Sequence, residues 1–298
     1  MGGTTRAPGI VPRGPGPSLL TAASRLPQGI DWRSGIEYRQ THCFAADQWA
    51  FCPGVDDEKP SPSGVGLADF YPFVGLVAAQ CDWLLRINAE GEFDPETRSQ
   101  LDAASAWLLS NELWTGLTNT GDSVNPSLQA PFPGAVDEFD ETHIINSGGA
   151  LNPVDAIGRL LAAYAAGTFV GGATLHVPLR LVPILVQNGT IDLTGQVLGV
   201  DGLAVVSPGP GYPDAGNTGP RVSGDTDGLP ATAAQVWVYV TGPVEYEMAP
   251  VRLEPEQAES RWLDRRTNQY YVLAERQMIY RFDPCAIWAA LITVPTAN

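Results

Sequence analysis

Asp94-Pro95-Glu96-Thr97-Arg98-Ser99-Gln100-Leu101-Asp102-Ala103-Ala104-Ser105-Ala106-Trp107-Leu108-Leu109-Ser110-Asn111-Glu112-Leu113-Trp114-Thr115-Gly116 is the clearest helical stretch of the chain. Asp94 is a good N-cap, Pro95 suits the first helical position, and Gly116 is a stop. Leu101, Ala104, Leu108 and Leu109 recur at helical spacing and share one face. About 19 residues rising 1.5 Å each make a rod of roughly 28 Å. The spacing predicts the longest helix of the chain, with Leu101, Leu108 and Leu109 lying against strands of the C-terminal third.

Upstream, strand-like runs at Ile36–Phe44, Trp49–Cys52 and Phe70–Val77 are interrupted by the polar, Pro-rich Val55–Gly66. They read as a long two-stranded excursion between Trp32 and Trp83. Its run Asp56–Gly64 is too polar to be buried and forms a solvent-facing or partner-facing tip. Residues 1–29 read as an extended arm, because Pro8, Pro12, Pro15, Pro17 and Pro27 block regular helix. Met1–Ser18, rich in Gly and Pro and nearly free of large apolar side chains, cannot pack a core of its own.

Downstream, Asn152-Pro153 opens a second helix whose Val154, Ile157, Leu160, Leu161 and Tyr164 line one face before Gly167. A short third helix is expected over Pro178–Val186, kinked at Pro183 and closed by Gly189. Short strands are expected at Thr174–Val177, Gln196–Val200 and Leu203–Ser207. Pro208–Pro230 is a long loop dense in Gly, Pro and Asp, a length that is usually functional inside a compact domain. A β-rich third follows, with runs at Gln235–Tyr239, Val244–Met248, Gln269–Tyr280 and Ala286–Val294. The mixture is α+β or α/β in character. No repeat of 20 to 50 residues is present, so solenoids and propellers are disfavoured.

The 298 residues suffice for one large domain or two modest ones. Only 17% are charged, against a usual share of about 25%, which points to surface covered by partners. With 32 Gly and 26 Pro, long ordered loops are expected. A net charge of −16 speaks against a nucleic-acid-binding module and against a basic membrane-surface helix. There is no run of 18 uncharged apolar residues, so no membrane partner is expected. The first 30 residues lack the apolar run of a secretory signal, so synthesis and folding in the cytosol are expected. The charge is also uneven. Residues 1–39 carry Arg6, Arg13, Arg25, Arg33 and Arg39 against Asp31 and Glu37, a balance of +3 that leaves −19 for residues 40–298. A basic arm thus precedes an acidic body. Lys59 is the only lysine, a bias that fits a GC-rich genome.

The residues supply little for catalysis. His42, His143 and His176 are the only histidines, and no G-x-S-x-G elbow accompanies them. Ser147-Gly148-Gly149 beside His143 reads as a turn, and the acidic run Asp137–His143 as a solvated loop. Asp225-Thr226-Asp227-Gly228 fails the calcium-loop pattern, since Ala234 stands where a bidentate Glu is needed. Gly209-Pro210-Gly211 is no phosphate loop, because proline removes the amide donors. Cys43, Cys52, Cys81 and Cys285 form no C-x-x-C pair and are expected to be free, mostly buried thiols. No catalytic residue, cofactor or metal site is expected. Trp32, Tyr38, Trp49 and Phe51 cannot all be buried by a two-stranded ribbon. Interfaces rich in aromatics and Arg are their natural place.

The order of basic arm, long β excursion, single long helix, α/β insertion and returning strands resembles the major capsid protein fold of tailed bacteriophages, shared with encapsulins. Several segments are similar to head structural proteins of phages of GC-rich hosts: Phe70-Tyr71-Pro72-Phe73 leading to Cys81, Glu112-Leu113-Trp114-Thr115-Gly116, Thr241-Gly242-Pro243, Arg266-Thr267-Asn268, Ala274-Glu275-Arg276 and Asp283-Pro284-Cys285. The resemblance implies an α+β capsid fold divided into an N-terminal arm (1–29), an extended β loop (30–90), a peripheral domain with a spine helix (91–150), an axial domain (151–250) and returning peripheral strands (251–298).

The implied function is a virion structural protein that self-assembles into an icosahedral head shell around double-stranded DNA, in the virion after assembly in the host cytoplasm. The implied partners are many copies of itself as hexamers and pentamers, scaffolding, decoration and portal proteins, and packaged DNA without sequence-specific contacts. Arg6, Arg13, Arg25, Trp32, Tyr38, Trp49, Phe51 and Lys59 are the expected inter-subunit contacts. Asp214, Asp225 and Asp227 are expected near the centre of a capsomer. Two departures from the family follow from the residues. The chain begins directly with the arm, so cleavage of a leading scaffold segment is not expected. Crosslinking through Lys59 is not expected either. A minor capsid, decoration or connector protein, an encapsulin-type compartment and a soluble oligomeric enzyme are the alternative readings.

Overall fold

A computed structural model of the chain describes residues 19–28, 30–39, 67–82, 93–116, 125–130, 143–146, 149–167, 172–191, 204–209, 219–220, 231–254, 263–264 and 269–294. The chain enters through a helical turn α1 (Leu19–Ala22) and a short strand β1 (Ser24–Arg25). Strands β2 (Ile36–Arg39) and β3 (Leu67–Phe70) pair with each other, Ile36 opposite Phe70, and form the base of the excursion. Strand β4 (Phe73–Asp82) and the long helix α2 (Phe93–Thr115) follow. Next come β5 (His143–Ile144), α3 (Pro153–Gly167), β6 (Ala173–Pro178), α4 (Val182–Gln187) and β7 (Ala204–Gly209). The C-terminal third supplies β8 (Gln235–Thr241), β9 (Glu245–Met248), β10 (Arg252–Glu254), β11 (Leu263–Asp264), β12 (Gln269–Arg281) and β13 (Ile287–Thr293).

Two sheets result. One has six strands built around the long β12, which pairs antiparallel with β4, β9, β10 and β11, while β1 adds to β9 in parallel. The other has five strands in the order β5-β13-β8-β6-β7. Helix α2 lies on the six-stranded sheet, as its apolar spacing predicts. Leu101 and Leu109 are wholly buried, and Leu108 is half-buried. The helix approaches β4 so closely that a Cβ at Gly75 would stand 2.7 Å from both Leu108 Cδ1 and Met278 Cε. Gly116 ends it at φ 63°, a left-handed conformation that favours glycine, and its amide donates to the Glu112 carbonyl.

The far end of α2 reaches the second sheet. Trp114 meets Tyr239 of β8 edge-to-face, with ring centroids 5.1 Å apart. Strand β8 is buried along nearly its whole length, since Trp237 and Tyr239 join the core under α2 while Val236, Val238 and Val240 join a second core under α3 and α4. A strand covered on both faces reads as a continuous apolar run instead of an alternating one. Asn152 caps α3 by accepting the Asp155 amide at its Oδ1.

Four expectations change. Residues 19–28 are not arm: Leu19 and Leu26 are buried in the central core, and the Ser24 and Leu26 amides donate to the Val244 and Tyr246 carbonyls. A few apolar side chains suffice here because the core already offers them a wall. The run beginning at Phe70 divides at Tyr71-Pro72, and its second part, β4, belongs to the six-stranded sheet and not to the excursion. Pro183 does not kink the third helix but stands in its first turn, where proline has no hydrogen bond to lose, after a 3-10 turn at Leu179–Leu181. Cys285 is disulfide-bonded, where spacing along the chain predicted a free thiol. The side chains of Cys43, Cys52 and Cys81 lie outside the described residues.

Two measurements check this architecture. Leu109→Ala empties a wholly buried site and is expected to cost about 2 to 5 kcal/mol in urea unfolding; a loss below about 0.5 kcal/mol contradicts the packing of α2. His176, wholly buried in β6 and 2.9 Å from Thr241 Oγ1, has its pKa lowered by burial from 6.5 to about 3. The folded protein therefore refuses a proton that the unfolded chain accepts below pH 6.5, and stability is lost as pH falls from there towards 3. The slope is about 1.4 kcal/mol per pH unit. Between pH 6.5 and 5 the wild type is expected to lose about 2 kcal/mol, and His176→Asn distinctly less. Equal losses contradict the assignment.

Candidate assembly surface at the base of the excursion

Arg25 is exposed on β1, at the rim of the six-stranded sheet. Trp32 is half-buried and packs against the core, with part of its ring still exposed. Tyr38 stands opposite Ala68 in the β2–β3 pair. Arg6, Arg13, Trp49, Phe51 and Lys59 lie outside the described residues, as do Gln196–Val200, Asp214, Asp225 and Asp227. Arg25, Trp32 and Tyr38 all belong to the chain entering the excursion.

That base is held by an aromatic cluster. Phe70 is wholly buried and meets Tyr280 and Phe282 edge-to-face, at 5.9 and 5.6 Å between centroids. Phe73 meets the same Tyr280 ring at 6.3 Å. Beside the cluster lies a buried polar node. The Tyr71 amide donates to Asn125 Oδ1 (2.7 Å), and Asn125 Nδ2 donates both to the Tyr71 carbonyl (3.1 Å) and to Glu112 Oε1 (3.3 Å). The Tyr280 hydroxyl lies 2.8 Å from the Pro126 carbonyl and 3.1 Å from that of Glu112. Burial pushes the Glu112 carboxyl above the usual carboxylate range, against a smaller lowering by Asn125. Burial first, and then the charge of Glu112, push the Tyr280 phenol up. The segment 125–130 also closes the helix, since the Leu128 and Gln129 amides donate to the carbonyls of Leu113 and Trp114.

Around this base the described surface carries large apolar side chains. Tyr71, Val74, Leu76 and Trp107 are each more than two-fifths exposed. Val74 and Leu76 alternate with the inward Phe73, Gly75 and Val77 along β4, opposite Gln277 and Glu275 of β12. Trp107 stands about 140° around α2 from the Leu101–Leu108–Leu109 face, counting 100° per residue. A helical wheel would have found Trp107, and strand alternation would have found Val74 and Leu76. Nothing in the sequence marks Glu112 or Asn125, whose roles come from contacts between distant segments.

Among the described residues no group of three or more His, Cys, Asp or Glu could hold a metal ion. No described helix is long and apolar enough to cross a membrane. His143 is exposed and stacks on Trp288 at 5.1 Å between centroids, and His176 is bonded inside the five-stranded sheet.

No family model and no curated protein matches the chain. Solved structures do. The capsid of a native GTA particle, computed with C5 symmetry, matches with a TM-score of 0.59 at 14% identity, over 98% of this chain and 96% of that one. A chain from Mycobacterium phage Bobi matches with a TM-score of 0.54 at 13% identity, over 100% and 96%. A chain from Mycobacterium phage Ogopogo matches with a TM-score of 0.51 at 17% identity, over 98% and 97%. The likeness covers nearly the whole of each chain, and the fold of the chain is the α+β fold of phage capsid proteins.

Proposed function

We propose that the chain is a major capsid protein, a structural subunit that self-assembles into an icosahedral head shell enclosing double-stranded DNA. The observation that carries this reading is the match over nearly the full length of both chains to the capsid of a GTA particle. Tyr71, Val74, Leu76 and Trp107 are exposed and offer apolar side chains for contact between copies. The low share of charged residues, 17%, points the same way. An acidic body suits a container for DNA, since each phosphate neutralised by the wall would strengthen binding and hinder packing.

In this reading residues 1–18 form the arm and residues 40–66 the reaching part of the excursion. Arg6, Arg13, Arg25, Trp32, Tyr38, Trp49, Phe51 and Lys59 meet neighbouring copies within hexamers and pentamers. Residues 91–150 with the helix α2 and the returning strands 251–298 form the peripheral domain, and residues 151–250 the axial domain. Asp214, Asp225 and Asp227 gather near a capsomer axis. Scaffolding, decoration and portal proteins are the further partners, and the virion, filled in the host cytoplasm, is the place of action.

Each exposed Arg–carboxylate contact made by the arm is worth about 0 to 1 kcal/mol, but a closed shell repeats it many times. The test is electron microscopy with analytical ultracentrifugation on the full chain and on a chain lacking residues 2–17, a deletion that spares the buried Leu19. The full chain is expected to form closed shells. The truncated chain is expected to stay folded, melt within a few degrees of the full chain, and fail to close. A full-length protein that remains monomeric, or that only coats shells made by another protein, overturns the major-capsid reading. A truncated chain that closes equally well removes the arm from it.

A further inference from the structure

We propose that Glu112, Asn125 and the Tyr71 backbone form a proton-sensitive latch that sets how firmly the exit of the excursion is held to the subunit body. Tyr71 is the residue at which the chain leaves β3 and turns into β4. Both of its backbone groups are held by one side chain, the amide donating to Asn125 Oδ1 and the carbonyl accepting from Asn125 Nδ2. That grip needs the Asn125 amide in one orientation. Glu112 Oε1, accepting the second Nδ2 hydrogen, selects it. Turning the amide over would set its NH2 against the Tyr71 N–H and its oxygen against both the Tyr71 carbonyl and the Glu112 carboxyl, three like-facing contacts in place of three hydrogen bonds.

Glu112 is 5% exposed, and among the described residues no ion pair reaches it. The Asn125 amide reaches its carboxyl from the segment after the helix, and the titratable Tyr280 lies beside it from β12. The Tyr280 hydroxyl is directed at main-chain carbonyls and not at the carboxyl. A neutral Glu112 keeps its bond from Asn125 without burying a charge. An ionised Glu112 keeps the bond but has no cation beside it, and its relief is to move towards water, which takes the third hydrogen bond from Asn125 and loosens Tyr71.

The sign follows from burial, which holds the Glu112 carboxyl above its usual 4.5. The folded state favours the neutral acid, so the latch is at full strength below pH 4.5 and weakens as pH rises through the raised value. The latch itself is a property of the single subunit. Its effect on contacts between subunits rests on the capsid reading.

Amide hydrogen exchange of the full-length protein, followed by mass spectrometry from pH 5 to 8.5 and corrected for intrinsic rates, separates the two. Peptides covering Leu67–Leu76 report on the latch, and peptides of β8 serve as the internal control. Wild-type protection at Tyr71 is expected to fall as pH rises over this range, while β8, whose protection changes with His176 in the opposite sense, shows no fall. Glu112→Gln, which keeps an acceptor for Asn125 without a charge, is expected to hold high protection at every pH. Asn125→Ala is expected to show low protection at every pH. A flat wild-type profile, a Glu112→Gln profile that falls like the wild type, or a fall shared equally by β8 overturns the latch whether or not the protein forms shells.

Discussion

Helix α2 has to lie on two sheets at once, and the rest of the subunit is arranged to let it. Its first half presents Leu101 to Val272 and Ala274 of β12 and to Val251 and Leu253 beside them. Its last turn presents Leu109, Leu113 and Trp114 to a core shared with Trp237 and Tyr239 of the other sheet. A straight helix can satisfy both only if the sheets are held at a fixed offset. Gly75 lets β4 come close at one end, and Gly116 with residues 125–130 stops the helix at the other. The excursion starts where these requirements meet, which is why its base is rigid: Phe70 is locked among Tyr280 and Phe282, and Tyr71 is gripped by Asn125.

Much of this was legible in the chain because strong local patterns coincide with burial. The 94–116 periodicity, the Asn152-Pro153 start and the apolar runs of β8, β12 and β13 each name an element within a residue or two of its observed ends. What stayed hidden depends on partners far away in sequence. Leu19 and Leu26 look like stray apolar residues in a Pro-rich arm until β9 and the central core stand next to them. The disulfide at Cys285 cannot be read from spacing, since cysteines distant in sequence are brought together only by the fold. The packing of Trp32 against the core is equally invisible to composition, because it depends on a core edge built by later segments. The Glu112–Asn125–Tyr71 node needs three segments, each unremarkable alone.

Identities of 13 to 17% with the matched phage chains, at near-complete coverage, fit a fold specified by pattern more than by particular side chains. What has to persist is a long amphipathic helix, a strand apolar on both faces and an exit turn with somewhere to anchor. Many residue choices meet those demands, and volume-conserving exchange in a core costs little.

The two-sided burial of β8 carries one more consequence. Its Trp237 and Tyr239 wall one core while Val236, Val238 and Val240 wall the other, and β13 beside it does the same with Ile287 and Ala289 against Trp288 and Ala290. Neither half of the subunit can lose its packing without exposing the back of the other. The two sheets are therefore coupled through one shared wall, so that a change of packing on one side of β8 is felt by the core on the other.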